Sequence, residues 1–312
     1  MSVPLRSSGD LLADRRYVWA EAALAEGDAA AAADLAEQVI ERVPGYGPAW
    51  LLLGRAREIL AGDDPEARAG ARHAFAQALD LDPDDALGAR LRLAQLGAPD
   101  DAAALSPAYV RALFDAYAGR FERHLVEGLG YRAPAMIRAA LLAAARGRPL
   151  PFRRALDLGC GTGLAARALD DLAETIEGVD LSPGMLAQAR RLGRYAALHE
   201  GDLTAFLAGQ PEGSADLVVA ADVFVYVGDL GPAFAGVARA LSADGLFAFT
   251  LQAQAGEGAV LGPDGRYAHA EALVRRETAA AGLAIVTLEA ASTRRERGED
   301  VPGWLAVLAP AA

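Results

Sequence analysis

The run Asp157-Leu158-Gly159-Cys160-Gly161-Thr162-Gly163 sets one carboxylate and three alternate glycines directly after a short apolar pair, Ala155-Leu156. Leu164 to Leu169 then takes up a helical pattern. Strand, glycine turn and helix in that order make a ligand cradle. Glycine reaches positive φ and admits close approach to the backbone, and the helix start offers unpaired N–H groups. Further acids close later strand candidates: Asp180 after Thr175–Val179, Asp202 after Ala197–Gly201, and Asp222 after the apolar run Leu217–Ala221. Ligands of open α/β sheets collect at the carboxyl ends of strands, and an acid at the place of Asp180 can accept both hydroxyls of a ribose. His269 is a candidate general base or holder of a substrate oxygen.

The spacing narrows the ligand. A dinucleotide fingerprint needs glycine at the first, third and sixth places, and counting from Gly159 the sixth place is Leu164. A P-loop needs Gly-Lys-Ser/Thr, and all 30 basic residues of this chain are arginine. Asp-x-Gly-x-Gly-x-Gly instead resembles motif I of the class I S-adenosylmethionine-dependent methyltransferases. Asp180-Leu181-Ser182-Pro183-Gly184-Met185-Leu186 resembles the segment after the second strand of those enzymes. The likeness implies that Asp157, Gly159, Cys160, Gly161 and Gly163 cradle the methionine end. It further implies that Asp180 and Leu181 meet the ribose and Met185 packs by the adenine. Asp202 would accept from the adenine amino group, and the backbone of Leu203 would meet a ring nitrogen. Ala221 would touch the cofactor, with Asp222 and Tyr226 near the reaction centre. Arg266-Tyr267-Ala268-His269 resembles a segment of methyltransferases that carry tetratricopeptide repeats, and implies roles for Tyr267 and His269 over the pocket mouth. Cys160 reads as a small residue beside the cofactor and not as a nucleophile. No metal ligands are assigned. The Asn/Asp-Pro-Pro-Tyr signature of base and amide N-methyltransferases is absent.

Composition sets the background. The 312 residues are 53% hydrophobic, enough for one large or two smaller cores, and carry a net charge of −12. That charge argues against non-specific binding to nucleic acid or anionic membrane. A single cysteine rules out an intramolecular disulfide and points to a reducing interior. Met1 to Arg16 lacks an apolar signal core, no apolar run is long enough to span a bilayer, and a cytoplasmic location is expected. Alanine, arginine and glycine in abundance without lysine suggest a GC-rich bacterial genome.

The elements that carry these residues begin with a helical third. Gly27–Pro44 and a segment ending Ala71–Pro83 fall into register on their prolines, with Ala49-Trp50-Leu51-Leu52-Leu53-Gly54 between them. This resembles the tetratricopeptide pattern: two repeats, with a third helix, Asp85 to Leu96, as a cap. The module offers either a surface for a protein partner or an appendage that stabilises or dimerises the enzyme. Gly97–Asp101 reads as a linker. Ser106-Pro107 starts one long helix with an aromatic face through Tyr109, Phe114, Tyr117, Phe121 and Leu125. It resembles the helix that closes over the cofactor in small-molecule methyltransferases, where Tyr117 and Phe121 would wall the sulfonium or the substrate. A second helix spans about 133–145.

The expected fold is α/β: a doubly wound, Rossmann-like seven-stranded sheet over 101–312, with lid helices at 106–146 and a core at 152–312. A tetratricopeptide-like helical module over 1–100 precedes it. The expected cofactor is S-adenosyl-L-methionine. The expected acceptor is a hydroxyl or carboxyl group on a small molecule or carrier-bound acyl group. A protein substrate recruited through the helices, and a non-catalytic scaffold that binds the cofactor, are the alternatives.

Overall fold

The computed structural model describes residues 7–98, 103–128 and 130–311. The chain forms two compact units, Met1–Ala112 and Leu113–Ala312. Pro99, Asp100 and Asp101 of the expected linker lie outside the described residues. The division falls later than 100/101 because Ser106 and Tyr109 belong to the first unit. Ser106 Oγ donates to the Asp85 carbonyl (2.9 Å), and the Tyr109 ring covers the open Cα of Gly88.

The first unit holds α1 (Leu11–Ala25), α2 (Ala29–Arg42), α3 (Gly47–Ala61), α4 (Arg68–Leu81) and α5 (Ala89–Gln95), and each helix packs on the next. Asp10 and Asp28 cap the first two, their carboxylates accepting N–H groups of the opening turns. The core is built largely of alanine, including Ala13, Ala20, Ala32, Ala36, Ala49 and Ala74, which lets helix axes approach closely. Gly54 of α3 leaves room for the ring of Phe75 of α4, which a Cβ would strike. The expected cap helix is shorter than 85–96. Asp85 takes φ 56° and Gly88 φ 78°, so the chain turns before α5, and the Asp85 Oδ1 accepts the N–H of Ala89 (2.6 Å).

α6 (Pro107–Tyr117) runs across the division. The long lid helix expected from the sequence is broken there: the Arg120 N–H bonds back to the Tyr117 carbonyl (3.0 Å), closing a tight turn at Gly119. The chain resumes as a π-helical stretch, Arg123–Gly128, then α7 (Ala133–Ala144).

The second unit is doubly wound. Its elements are β1 (Phe152–Leu158), α8 (Leu164–Ala168), β2 (Ala173–Asp180), α9 (Pro183–Leu192), β3 (Ala197–Glu200), α10 (Leu203–Ala208), β4 (Ala215–Ala220), α11 (Gly231–Ala240), β5 (Leu241–Ala253), β6 (Ala259–Leu261), β7 (Tyr267–His269), α12 (Glu271–Ala280), β8 (Leu283–Ala291), β9 (Arg295–Glu296), β10 (Glu299–Asp300) and β11 (Gly303–Pro310). The main sheet runs β3-β2-β1-β4-β5-β11-β8. Its pairings are parallel except at β11, which is antiparallel to β5 and β8. Apolar side chains fill both faces. Leu207, Phe234, Val237 and Val274 from α10, α11 and α12 cover one, and Ile137, Leu141 and Ala166 from α7 and α8 cover the other.

Three differences from the expected layout bear on function. β3 ends at Glu200, short of the expected Gly201-Asp202 end, because Asp202 caps α10. β5 is a long strand, because apolar residues continue through Leu251. Two short strands extend the seven-stranded path: β7 pairs parallel with the end of β5 at Gln252↔Ala268 and antiparallel with β6. Tyr267 and His269 therefore lie in a strand, 1% and 0% exposed, and not on an open mouth.

Candidate active site

β1 delivers Asp157 to the glycine loop, where Gly159, Gly161 and Gly163 all take positive φ (60°, 53° and 96°). The loop is tight by packing as well as by torsion. A Cβ on Gly159 would lie 2.6 Å from Val223, and one on Gly163 2.9 Å from Leu192. Gly161 is the open point, where the nearest atom to a notional Cβ is Cε1 of Phe121 at 3.9 Å. Neighbouring N–H groups are spent internally: Cys160 donates to the Val179 carbonyl (2.9 Å) and Gly163 to the Cys160 carbonyl (2.9 Å).

The carboxylates stand round this loop. Asp157 is buried and accepts the Tyr195 hydroxyl at 2.7 Å. Burial pushes its pKa up to about 7; the Tyr195 bond opposes the rise and the Asp180 charge adds to it. Asp180, at the end of β2, accepts Gly161 N–H on one oxygen and Ser182 N–H on the other, each at 2.8 Å. Burial raises its pKa too, against those two N–H bonds. Asp202 accepts the N–H groups of Thr204 (2.8 Å) and Ala205 (3.1 Å) and the Thr204 hydroxyl. Leu181 and Leu203 are half-buried, while Met185 is buried under α9. Burial holds the Cys160 thiol well above its ordinary pKa, so the sulfur is a neutral packing group. Asp115 of α6 reaches across to the start of α9, accepting the Ser182 hydroxyl and the Gly184 N–H (3.0 Å).

Phe121 stands at the open side of the loop and belongs to a chain of four rings. Phe121 packs edge-on against Phe114 (6.0 Å between centroids) and Tyr117 (5.6 Å), and Phe114 against Tyr226 (5.2 Å). The structure thus brings Tyr117, Phe121 and Tyr226 together, and adds Phe114.

Beyond Ala221 the character changes. Asp222 sits at φ 55°, its N–H on the Thr250 hydroxyl (2.9 Å). Its two oxygens accept the hydroxyls of Thr250 (2.7 Å) and Thr293 (2.9 Å), and Arg294 lies 3.6 Å away. Arg294 is 3% exposed, and also donates to Gln252 (2.8 Å) and Glu296 (2.9 Å). Glu296 takes a second arginine, Arg266, at 2.6 Å, and Arg266 Nε lies 3.5 Å from the Tyr226 hydroxyl. His269 Nε2 lies 2.9 Å from the Val227 carbonyl, which can only accept, so Nε2 carries the proton. Burial lowers its pKa to about 4, and its Nδ1 has no partner among the described residues. The ring is therefore a neutral clamp on the turn that carries Tyr226. Burial first, then the charges of Asp222 and Asp157, push the Tyr131 phenol well above its ordinary pKa. Sequence reading did not select Phe114, Asp115, Tyr131, Tyr195, Arg266, Arg294 or Glu296. The run of charges from Arg294 to Asp300 is the nearest sequence signal for the last two.

The donor set tests the nature of the cofactor. Three acids stand at successive strand ends, Asp180 of them on the N–H of the open Gly161, and among the described residues no cation pairs with any of them. Acids of this kind repel phosphate and accept from hydroxyl and amino groups, while aromatic faces favour a cation. The residues fit a ribose-bearing, phosphate-free, positively charged cofactor.

Residues 156–249, from β1 into β5, match the family described as a methyltransferase domain. Over 55 residues the chain is 49% identical to the dTDP-3-amino-3,6-dideoxy-alpha-D-glucopyranose N,N-dimethyltransferase of Streptomyces fradiae, covering 18% of this chain and 22% of that one. Over 101 residues it is 42% identical to the malonyl-[acyl-carrier protein] O-methyltransferase of Geobacter sulfurreducens, covering 31% and 38%. The chain thus spans well under half the length of either relative. Among solved structures, the magnesium protoporphyrin IX methyltransferase of Synechocystis with bound S-adenosylmethionine superposes with a TM-score of 0.50 at 18% identity, over 69% of this chain and 99% of that one. That likeness bears on the fold.

Proposed function

We propose that the protein is an S-adenosylmethionine-dependent methyltransferase acting on a hydroxyl or carboxyl oxygen of a small-molecule or carrier-bound acceptor. The observation that supports this most is the set of strand-end acids without a cation partner among the described residues, Asp157, Asp180 and Asp202, with Asp180 on the N–H of the open Gly161. Bound there, the cofactor supplies an electrophilic methyl group on a sulfonium. Asp180 holds the ribose hydroxyls, Asp202 and the backbone of Leu203 the adenine, with Leu181 and Met185 against the base. Gly159–Gly163 cradle the methionine end, Cys160 fills space, and Ala221 borders the methyl. Phe114, Tyr117 and Phe121 exclude water and face the positive sulfur.

Chemistry then rests on placement. Holding an acceptor oxygen in line supplies about 7–11 kcal/mol of the barrier reduction. Tyr226 is the side chain assigned to touch that oxygen. Tyr267 and the neutral His269 position it, His269 through the Val227 carbonyl. Asp222, with both oxygens engaged, orients the wall and leaves the proton to solvent or to the acceptor's own acidity. The test is calorimetric titration with S-adenosylhomocysteine. Asp180→Ala is expected to lose about 100-fold in affinity, the worth of two charge-assisted hydrogen bonds. Unchanged affinity sinks the assignment.

The five helices of residues 11–95 are read as two tetratricopeptide-like repeats and a cap. One observation favours a partner for them: Leu11, Val18 and Trp19 on α1 are 85%, 59% and 57% exposed. A protein acceptor recruited there is the second reading. Trp19→Asp in the full chain would abolish methylation of such a protein and leave turnover of a small acceptor intact. Among the described residues no helix is long and apolar enough to cross a membrane; a cytoplasmic site of action is part of the proposal.

A further inference from the structure

A cavity of about 250 Å³ opens beside the start of α7 and α8. Tyr131, Ala135, Leu164 and Ala168 make its apolar walls, and Arg132 and Arg167 border it. It contains none of the strand-end acids, and meets the glycine loop only at Leu164, the residue after Gly163.

Two features orient it. Two arginines border its outer side: the side chains of Arg132 and Arg167 are 50% and 55% exposed, and Arg132 Nε is anchored on the Ser292 carbonyl (2.8 Å), leaving its terminal nitrogens toward the rim. Their carboxylate neighbours, Asp300 at 3.4 Å and Glu122 at 3.6 Å, are themselves exposed. Exposed pairs of that length are weak and yield to a ligand that engages the planar fork in two parallel bonds. The backbone that carries Arg132 is linked by hydrogen bonds to Asp222. The Arg132 N–H donates to the Thr293 carbonyl (2.9 Å), and the Thr293 hydroxyl donates to Asp222 (2.9 Å). The volume selects the occupant further. It falls below the ~300–1,000 Å³ of pockets that hold drug-sized ligands, so a slim aliphatic segment fits where a multi-ring body does not.

We propose that this cavity takes an aliphatic stem of the methyl acceptor, its anionic outer end gripped by Arg132 and Arg167 and its reactive end directed toward Asp222 and Tyr226. The inference rests on the methyltransferase reading above and narrows its acceptor to an acid or phosphate ester with an unbranched apolar chain.

The test titrates octanoate, octyl phosphate and octanol into the full chain saturated with S-adenosylhomocysteine. At least one anion is expected to bind one to one, about tenfold or more tighter than octanol. Octyl phosphate ahead of octanoate marks a phosphate ester, and the reverse a carboxylate. Ala135→Trp, at an exposed position, is expected to abolish anion binding. Arg167→Gln is expected to erase the preference over octanol, and both variants to keep the native affinity for S-adenosylhomocysteine. A native protein that binds S-adenosylhomocysteine but neither anion overturns the proposal, as does Arg167→Gln binding all three probes like the native chain. Failure to bind S-adenosylhomocysteine at all is a separate result, and counts against the methyltransferase reading itself.

Discussion

At the carboxyl ends of β1, β2 and β3, Asp157, Asp180 and Asp202 are held by a tyrosine hydroxyl, by backbone N–H groups and by a threonine, with no arginine against them among the described residues. Across β4, β5 and the turn after β8, Asp222 and Glu296 are instead knitted to Arg294 and Arg266. The first half keeps its acids uncompensated, which costs stability and leaves a field ready for hydroxyls and a positive sulfur. The second half matches its charges internally, which fixes geometry. On the proposed function, one end binds the cofactor and the other holds a shape against which the acceptor is placed.

The contrast breaks most visibly at Arg294. Replacing it by methionine leaves Asp222 without a cation beside a buried apolar group, and leaves Glu296 with Arg266 alone. A loss of about 3–5 kcal/mol in urea unfolding is expected, with affinity for S-adenosylhomocysteine within twofold of native. A stability loss under 1 kcal/mol would mean that the acceptor half is not held by its ion pairs.

Acidity separates the halves next. Asp157 has its pKa raised from 3.8 to about 7, so the folded state holds a proton that the unfolded state releases, and stability falls as pH rises between those values. His269 has its pKa lowered from 6.5 to about 4, so its contribution is complete above 6.5 and is lost as pH falls toward 4. From pH 4.5 to 6.5, Asp157→Asn should therefore tilt the stability profile upward with pH relative to native, and His269→Gln should tilt it downward. Each tilt is at most about 1.4 kcal/mol per pH unit. Urea midpoints across that range check both signs; parallel profiles would refute the burial account.

The smallest effect sharpens the binding half. Phe121→Ala removes one ring from beside Gly161. S-adenosylmethionine, a cation at sulfur, should lose about two- to fivefold more affinity than S-adenosylhomocysteine, which is neutral there. Equal losses would make the ring a spacer.

The glycine turn and the strand-end acids were legible in the sequence because local chemistry fixes them. Alternate glycines demand positive φ, and acids at strand ends are spaced by the βα unit. The doubly wound character of the sheet followed from the same units, while the antiparallel placement of β11 between β5 and β8 comes from pairing that the local sequence does not encode. The other half was not legible, because its partners come from far along the chain. Asp222 meets Thr293, Arg266 meets Tyr226 and Tyr195 meets Asp157 only after folding. Tyr267 and His269 were selected by type, but their environment depends on the β5–β7 pairing, which no periodicity in three-residue strands announces. The broken lid helix escaped for a related reason: the aromatic repeat runs through Gly119, while the backbone turns there.

The central claim, that the acid-lined loop receives a phosphate-free sulfonium cofactor, is met most directly by titrating the full chain in parallel with S-adenosylmethionine and with reduced nicotinamide dinucleotide. Saturation by S-adenosylmethionine at one site per chain, with no heat from the dinucleotide, is the expected result. Binding of the dinucleotide, or silence with S-adenosylmethionine, contradicts it.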